Sequence, residues 1–114
     1  MSDLKRMAEE SITPALAWRE VSDDEVKAPI PRRLHRDKEV SRVWMHISRD
    51  KQGWLQVMYR VLFDDGGAVV AVGGKASNIA DALKWANDKV DGEITTEITV
   101  AQIKDSVAYA QDRP

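Results

Sequence analysis

The sequence predicts an α+β fold: a three-stranded antiparallel meander packed on a helix, with an N-terminal helical or irregular arm before it and a short C-terminal helix after it. Three observations carry that expectation. Two adjacent runs alternate apolar and polar residues with period two, a third short apolar run follows a glycine turn, and a segment beyond it is apolar at helical spacing. Residues 1–114 are expected to form a single domain, with the arm at 1–39, the meander at 40–73 and the helical part at 77–114.

In the arm, Leu4, Met7 and Ala8 predict one short amphipathic helix. Thr13-Pro14 reads as a cap followed by proline at the first helical position. Ser22 and Glu25 have capping-box spacing, with Val21 and Val26 as the hydrophobic staple. Pro29 and Pro31 stop that turn, and residues 32–39 have no apolar period, so they read as a loop.

In the meander, Val43, Met45 and Ile47 alternate with Arg42, Trp44 and His46. Leu55, Val57, Tyr59, Val61 and Phe63 alternate with Trp54, Gln56, Met58, Arg60 and Leu62. Asp50-Lys51-Gln52-Gly53 between them suits a three-residue hairpin loop that ends on a left-handed glycine. That loop pairs Asp50 with Trp54 and sets Ser48 opposite Gln56, His46 opposite Met58, Trp44 opposite Arg60 and Val43 opposite Val61. Asp65-Gly66 offers a type I′ turn into a third strand over 68–72, with Val70 opposite Val61.

Gly73 and Gly74 are read as ending that strand and Ser77 as capping the helix that follows. Ile79, Ala82, Leu83, Ala86 and Val90 form its apolar stripe, with Trp85 off the stripe and expected to pack under the terminal helix. Thr99 and Gln102 make a capping box for a last helix lined by Val100, Ile103, Val107 and Ala110. Residues 94–98 form a β-branched link or a fourth strand.

Composition narrows the function classes. The absence of cysteine removes disulfide scaffolds, thiolate metal sites and thiol catalysis, and favours a reducing compartment. The longest apolar run, 68–72, is far short of the roughly 20 residues of a membrane span, so a cytoplasmic location and no membrane partner are expected. The net charge of −2 hides a segregation: residues 1–28 carry 4 basic and 7 acidic groups, 29–60 carry 8 and 3, and 61–114 carry 5 and 9. A basic middle between acidic flanks either neutralises itself in the fold or meets an anionic partner.

Chemistry-bearing motifs are sparse. The two histidines, His35 and His46, have no carboxylate in a short motif with either, and no metal-ligand spacing occurs, so no catalytic residue, metal or cofactor is expected. Asp23-Asp24 and Asp64-Asp65 read as turn and helix-start acids. Residues 73–77 sit between strand and helix as a phosphate loop would, but Val69 stands where that motif needs glycine.

The informative feature is the second face of the meander. Arg42, Trp44, His46, Trp54, Met58 and Arg60 mix aromatic, methionine and arginine side chains as interface cores do, and Arg60 is placed to stack on Trp44. Leu16, Trp18, Ile30 and Leu34 from the arm either cover this face or leave it open, and Val69 and Ala71 are assigned to it from the third strand. An alternative nucleic-acid surface runs through Arg32, Arg33, Arg36, Lys38, Arg49 and Lys51.

The order helix, three antiparallel strands, helix resembles the double-stranded-RNA-binding domain, and the strands with the following helix also resemble the arm-binding domains of phage integrases. The first resemblance implies a lysine cluster at the start of the second helix. Here residues 75–81 hold one base, Lys75, and one acid, Asp81. The second implies a basic sheet, which Arg42, Arg49, Lys51 and Arg60 partly supply. The function expected from these features is a small non-enzymatic regulator or inhibitor, of the kind found among host and phage accessory proteins. It would act by protein–protein contact, with a second copy as one candidate partner, and nucleic-acid binding through 29–60 is the alternative.

Overall fold

In the structure, a computed structural model that describes residues 3–12, 16–30, 34–35 and 38–90, the sheet is larger than the expected three-stranded meander. The elements are α1 (Asp3–Ser11), β1 (Arg19–Ser22), β2 (Glu25–Ile30), β3 (Leu34–His35), β4 (Lys38–Arg49), β5 (Leu55–Phe63), β6 (Ala68–Ala76) and α2 (Ile79–Val90). Five antiparallel strands follow the order β1-β2-β4-β5-β6, and the two-residue β3 pairs with β4. The class remains α+β, but the order helix, three strands, helix, on which the resemblance to the double-stranded-RNA-binding domain rests, does not hold, and the three strands and helix behind the integrase resemblance occur only as β4, β5, β6 and α2 within the larger sheet.

The correction lies in residues 19–39, where the expected loop over 32–39 instead holds the paired residues Leu34↔Glu39 and His35↔Lys38. Ser22 to Glu25 is a hairpin rather than a capping box: Asp23 and Asp24 form the turn, Ser22 pairs with Glu25, and Asp24 N–H donates to Ser22 Oγ at 3.2 Å. Short polar side chains favour such turns as much as they favour caps. Beyond the turn, Val26, Ala28 and Ile30 are buried and alternate with half-buried Glu25, Lys27 and Pro29, which is the period of a strand. Pro29 is tolerated because the ladder with β1 ends at Arg19↔Lys27, so at Pro29 β2 is an edge and no second partner requires an N–H. Ile30↔Val43 and Leu34↔Glu39 belong to one register, so β2 and β3 are two stretches of the same line along β4.

The β4–β5 register is the expected one at Val43↔Val61, Trp44↔Arg60, His46↔Met58 and Ser48↔Gln56, with a bulge between Val40 and Arg42. Its loop is closed by Asp50 N–H to Trp54 O and Gly53 N–H to Asp50 O, both 3.0 Å, and Gly53 has φ +88°. The β5–β6 register slips by one from expectation: Val61 faces Val69, and Arg60 faces Val70. The second hairpin repeats the first, with Gly66 N–H to Phe63 O at 3.0 Å, Phe63 N–H to Gly67 O at 2.8 Å and φ +92° at Gly66. A three-residue loop thus replaces the two-residue turn, and the slip exchanges the faces of β6. Val69 and Ala71 turn to the helix side, and Val70 and Val72 turn to the Trp44 side.

β6 also runs on through Gly73 and Gly74 to Ala76, with a bulge opposite the step from Gln56 to Met58. The glycines serve close approach rather than strand ending. A Cβ on Gly73 would come within 2.6 Å of the Ala86 backbone, and one on Gly74 would meet the Trp85 ring. Asn78, not Ser77, caps α2: its Oδ1 accepts Asp81 N–H at 2.9 Å, and its Nδ2 donates to the Asp81 carboxylate at 3.1 Å.

The core lies between the sheet and the two helices. Ile79, Ala82, Leu83 and Ala86 of α2 meet Val57, Tyr59 and Val61, while Leu4 and Ala8 of α1, with Ile12 and Trp18, extend the cluster over Val26 and Ala28. The expected α1 and the α2 stripe from Ile79 to Ala86 are therefore present. The Thr13-Pro14 cap, the 94–98 segment, the terminal helix and its packing on Trp85 lie outside the described residues.

Candidate functional site

The face of the sheet opposite the helices carries side chains from five strands. Trp18 and Ile30 go into the core, and Leu16 packs against that cluster, so these three residues of the N-terminal segment do not cover that face, and the Leu34 side chain lies outside the described residues. At its centre Trp44, on β4, is half-buried with three cations over its ring: Lys27 Nζ at 5.0 Å, Arg19 Cζ at 5.4 Å and Arg42 Cζ at 5.7 Å from the centroid. Sheet pairing explains the convergence. Arg19 faces Lys27 across β1–β2, Lys27 faces His46 across β2–β4, and Arg42 precedes Trp44 by two residues on the same face. Arg60, expected to stack on Trp44, is its cross-strand neighbour, but the ring is taken by the other three.

Lys27, Arg42, Trp44, His46, Arg60 and Leu62 line a groove of about 250 Å³. Its electrostatics are one-sided. Among the described residues none of Arg19, Lys27, Arg42 and Arg60 forms an ion pair, so four positive charges are gathered around one indole. Each cation–π contact at such a site is worth about 0.5–1 kcal/mol, and the cations repel one another. An incoming carboxylate or phosphate would relieve that repulsion. At the far end of the groove His46 Nδ1 lies 3.2 Å from Glu25 Oε2, which orients the ring.

No protein-family model, curated protein or solved structure matches this chain.

Of the residues singled out by sequence, Arg42, Trp44, His46 and Arg60 are brought together in the groove, and Met58 lies beside it, opposite His46. Trp54 is not part of it. It precedes β5 and stands six residues from Arg60, ~20 Å along the strand at about 3.4 Å per residue. Of the described members of the alternative nucleic-acid set, Lys38 lies at the opposite end of β4 from Arg49 and Lys51. Arg49 is held by Asp3 and Asp24, Lys38 pairs with Asp65 at 3.3 Å over the Phe63 ring, and Lys51 is exposed in the β4–β5 loop. Arg32, Arg33 and Arg36 lie outside the described residues. Sequence reading missed Arg19 and Lys27, whose signal was the alternation of Val26, Ala28 and Ile30 that places Lys27 on the opposite face.

Lys75 and Asp50 have structural roles at the β4–β5 hairpin. Lys75 donates to Asp50 Oδ2 at 2.9 Å, while Asp50 Oδ1 accepts the N–H groups of Gln52 and Trp54. The lysine foremost, with those amides, holds the Asp50 carboxyl below its usual range. No group of three or more potential metal ligands occurs among the described residues, and no described helix is long and apolar enough to cross a membrane.

Proposed function

We propose that this chain is a non-enzymatic binding protein, a regulator or inhibitor acting in the cytoplasm by protein–protein contact, and that the Trp44 groove receives an acidic segment of its partner. The observation that carries the reading is the concentration of Arg19, Lys27, Arg42 and Arg60, none ion-paired within the described residues, around Trp44 on an open face. Carboxylates would meet the cations. Apolar neighbours of those carboxylates would meet Leu62, Met58 and the exposed Val70 and Val72 that border the groove on β5 and β6. Arg and Trp anchors of this kind are what dominate contact energy at interfaces.

The same cations supply the one observation in favour of nucleic acid. Against it, they form a compact cluster around one aromatic rather than a track along which a backbone and successive bases could lie. Calorimetric titration of the full chain with a peptide alternating glutamate and leucine, and with a single-stranded oligonucleotide of equal charge, separates the two. The peptide is expected to bind more tightly, and Trp44→Ala and Arg42→Glu should each weaken it about tenfold or more, ~1.4 kcal/mol. Trp54→Ala should change little. Tighter oligonucleotide binding with a steep salt slope would replace the proposal by the nucleic-acid reading. Peptide binding that ignores both groove variants would end it.

A further inference from the structure

Four of the six large apolar side chains exposed among the described residues gather on one strand: Val69, Val70 and Val72 belong to β6, and the Trp85 ring rests on its Gly74. β6 is last in the strand order and pairs only with β5 among the described residues. The bond from Phe63 N–H to Gly67 O fixes which backbone groups are used. Antiparallel alternation from that bond makes Val69 and Ala71 the residues bonded to β5, and it turns the N–H and C=O of Ala68, Val70 and Val72 to the open edge. Edge strands are ordinarily blunted by a charge, a proline or a bulge. Residues 68–72 hold no charge and no proline, and the bulge of β6 comes after them.

The sequence Ala68-Val69-Val70-Ala71-Val72 is complementary to itself when reversed about Val70. We infer that β6 pairs antiparallel with β6 of a second copy of this chain about a two-fold axis at Val70. Val70 then faces Val70, Ala68 faces Val72 and Val69 faces Ala71, with about six backbone hydrogen bonds from the groups that point outward. Small and β-branched residues oppose one another on both faces, and no like charges meet. The axis stands perpendicular to the sheet, so the two sheets become one and both Trp44 grooves open on the same side. Five strand spacings separate β4 from its copy, ~24 Å at about 4.8 Å each, a separation suited to a partner with two acidic segments.

Sedimentation of the full chain from micromolar to millimolar concentration, with residue-resolved amide exchange at both ends of the range, tests this independently of what the groove binds. The mass is expected to rise from 12.8 kDa toward double, and the amides of Ala68, Val70 and Val72 should slow with concentration while those of Val69 and Ala71 do not change. Val70→Glu sets two like charges opposite each other at the axis, while within each copy it faces the cation Arg60, and should hold the mass at the monomer value with the chain still folded. Val21→Lys, an equally exposed valine on β1, should associate like the parent. A mass that stays monomeric overturns the inference, as does association that leaves the three edge amides unaltered. Slow exchange of those amides in a monomer would show a segment of the same chain occupying the edge instead.

Discussion

Tyr59 is the largest fully buried side chain, and its hydroxyl donates to Asn87 Oδ1 on the buried side of α2. The period-two pattern of β5 places Tyr59 on the helix face, and the spacing of Asn87, four residues after Leu83, places it on the α2 stripe, although a lone asparagine near a helix end by its type alone reads as solvent-facing. Tyr59→Phe removes the donor and keeps the ring, so unfolding in urea should show a loss of about 1–2 kcal/mol at an unchanged slope. The groove residues divide in the same way. Trp44, Arg42, His46 and Met58 could be assigned to one face from alternation alone. The cations that reach Trp44 from β1 and β2 depended on strands hidden under turn and proline signals, and the placing of Arg60 over the ring failed because three nearer cations occupy it.

At the scale of elements, the two hairpins show why register was half legible. Both loops end on a positive-φ glycine, yet Asp65-Gly66 also fits the two-residue turn, and only the closing bonds of the folded loop distinguish them. The paired glycines of β6 look like punctuation in the sequence and are contact points in the fold. Gly73→Ala drives a methyl into the Ala86 backbone and should destabilise by about 1–3 kcal/mol, whereas Gly74→Ala meets the exposed Trp85 ring, which can swing aside, and should cost less in the same melt. A second element-scale device is the Arg49 clasp. Its guanidinium donates to both Asp3 oxygens at 3.1 Å, to Asp24 Oδ1 at 3.1 Å and to Asp23 O at 3.3 Å, tying the start of α1 to the β1–β2 turn and the end of β4. Arg49 foremost holds the Asp3 carboxyl below its ordinary 3.8, as Gly67 N–H and then Lys38 do for Asp65. A carboxyl depressed in the folded state stabilises fully above its unfolded value, and that contribution disappears as pH falls through the folded one. Stability should therefore decline below about pH 4, and Asp3→Asn should flatten that decline in an acid titration followed by circular dichroism.

Across the whole molecule, the charge segregation of the sequence is not the segregation of the fold. Arg49 and Lys38, from the basic middle, are neutralised by Asp3, Asp24 and Asp65 from the acidic flanks, as self-neutralisation requires. Arg42 and Arg60 instead join Arg19 and Lys27, which come from the acidic N-terminal segment, around Trp44 at the groove. Segment sums could not anticipate this, because strand pairing brings residues 19 and 27 beside 42, 44 and 60. Docking of an acidic partner in this groove is tested by a nitrogen–proton NMR titration of the isotope-labelled full chain with the glutamate–leucine peptide. The Trp44 indole and the amides of Lys27, Arg42 and Arg60 should shift together and saturably, with the Trp54 indole and Lys51 unmoved. Shifts centred on Trp54 and Lys51, or spread over the surface without saturation, would contradict it.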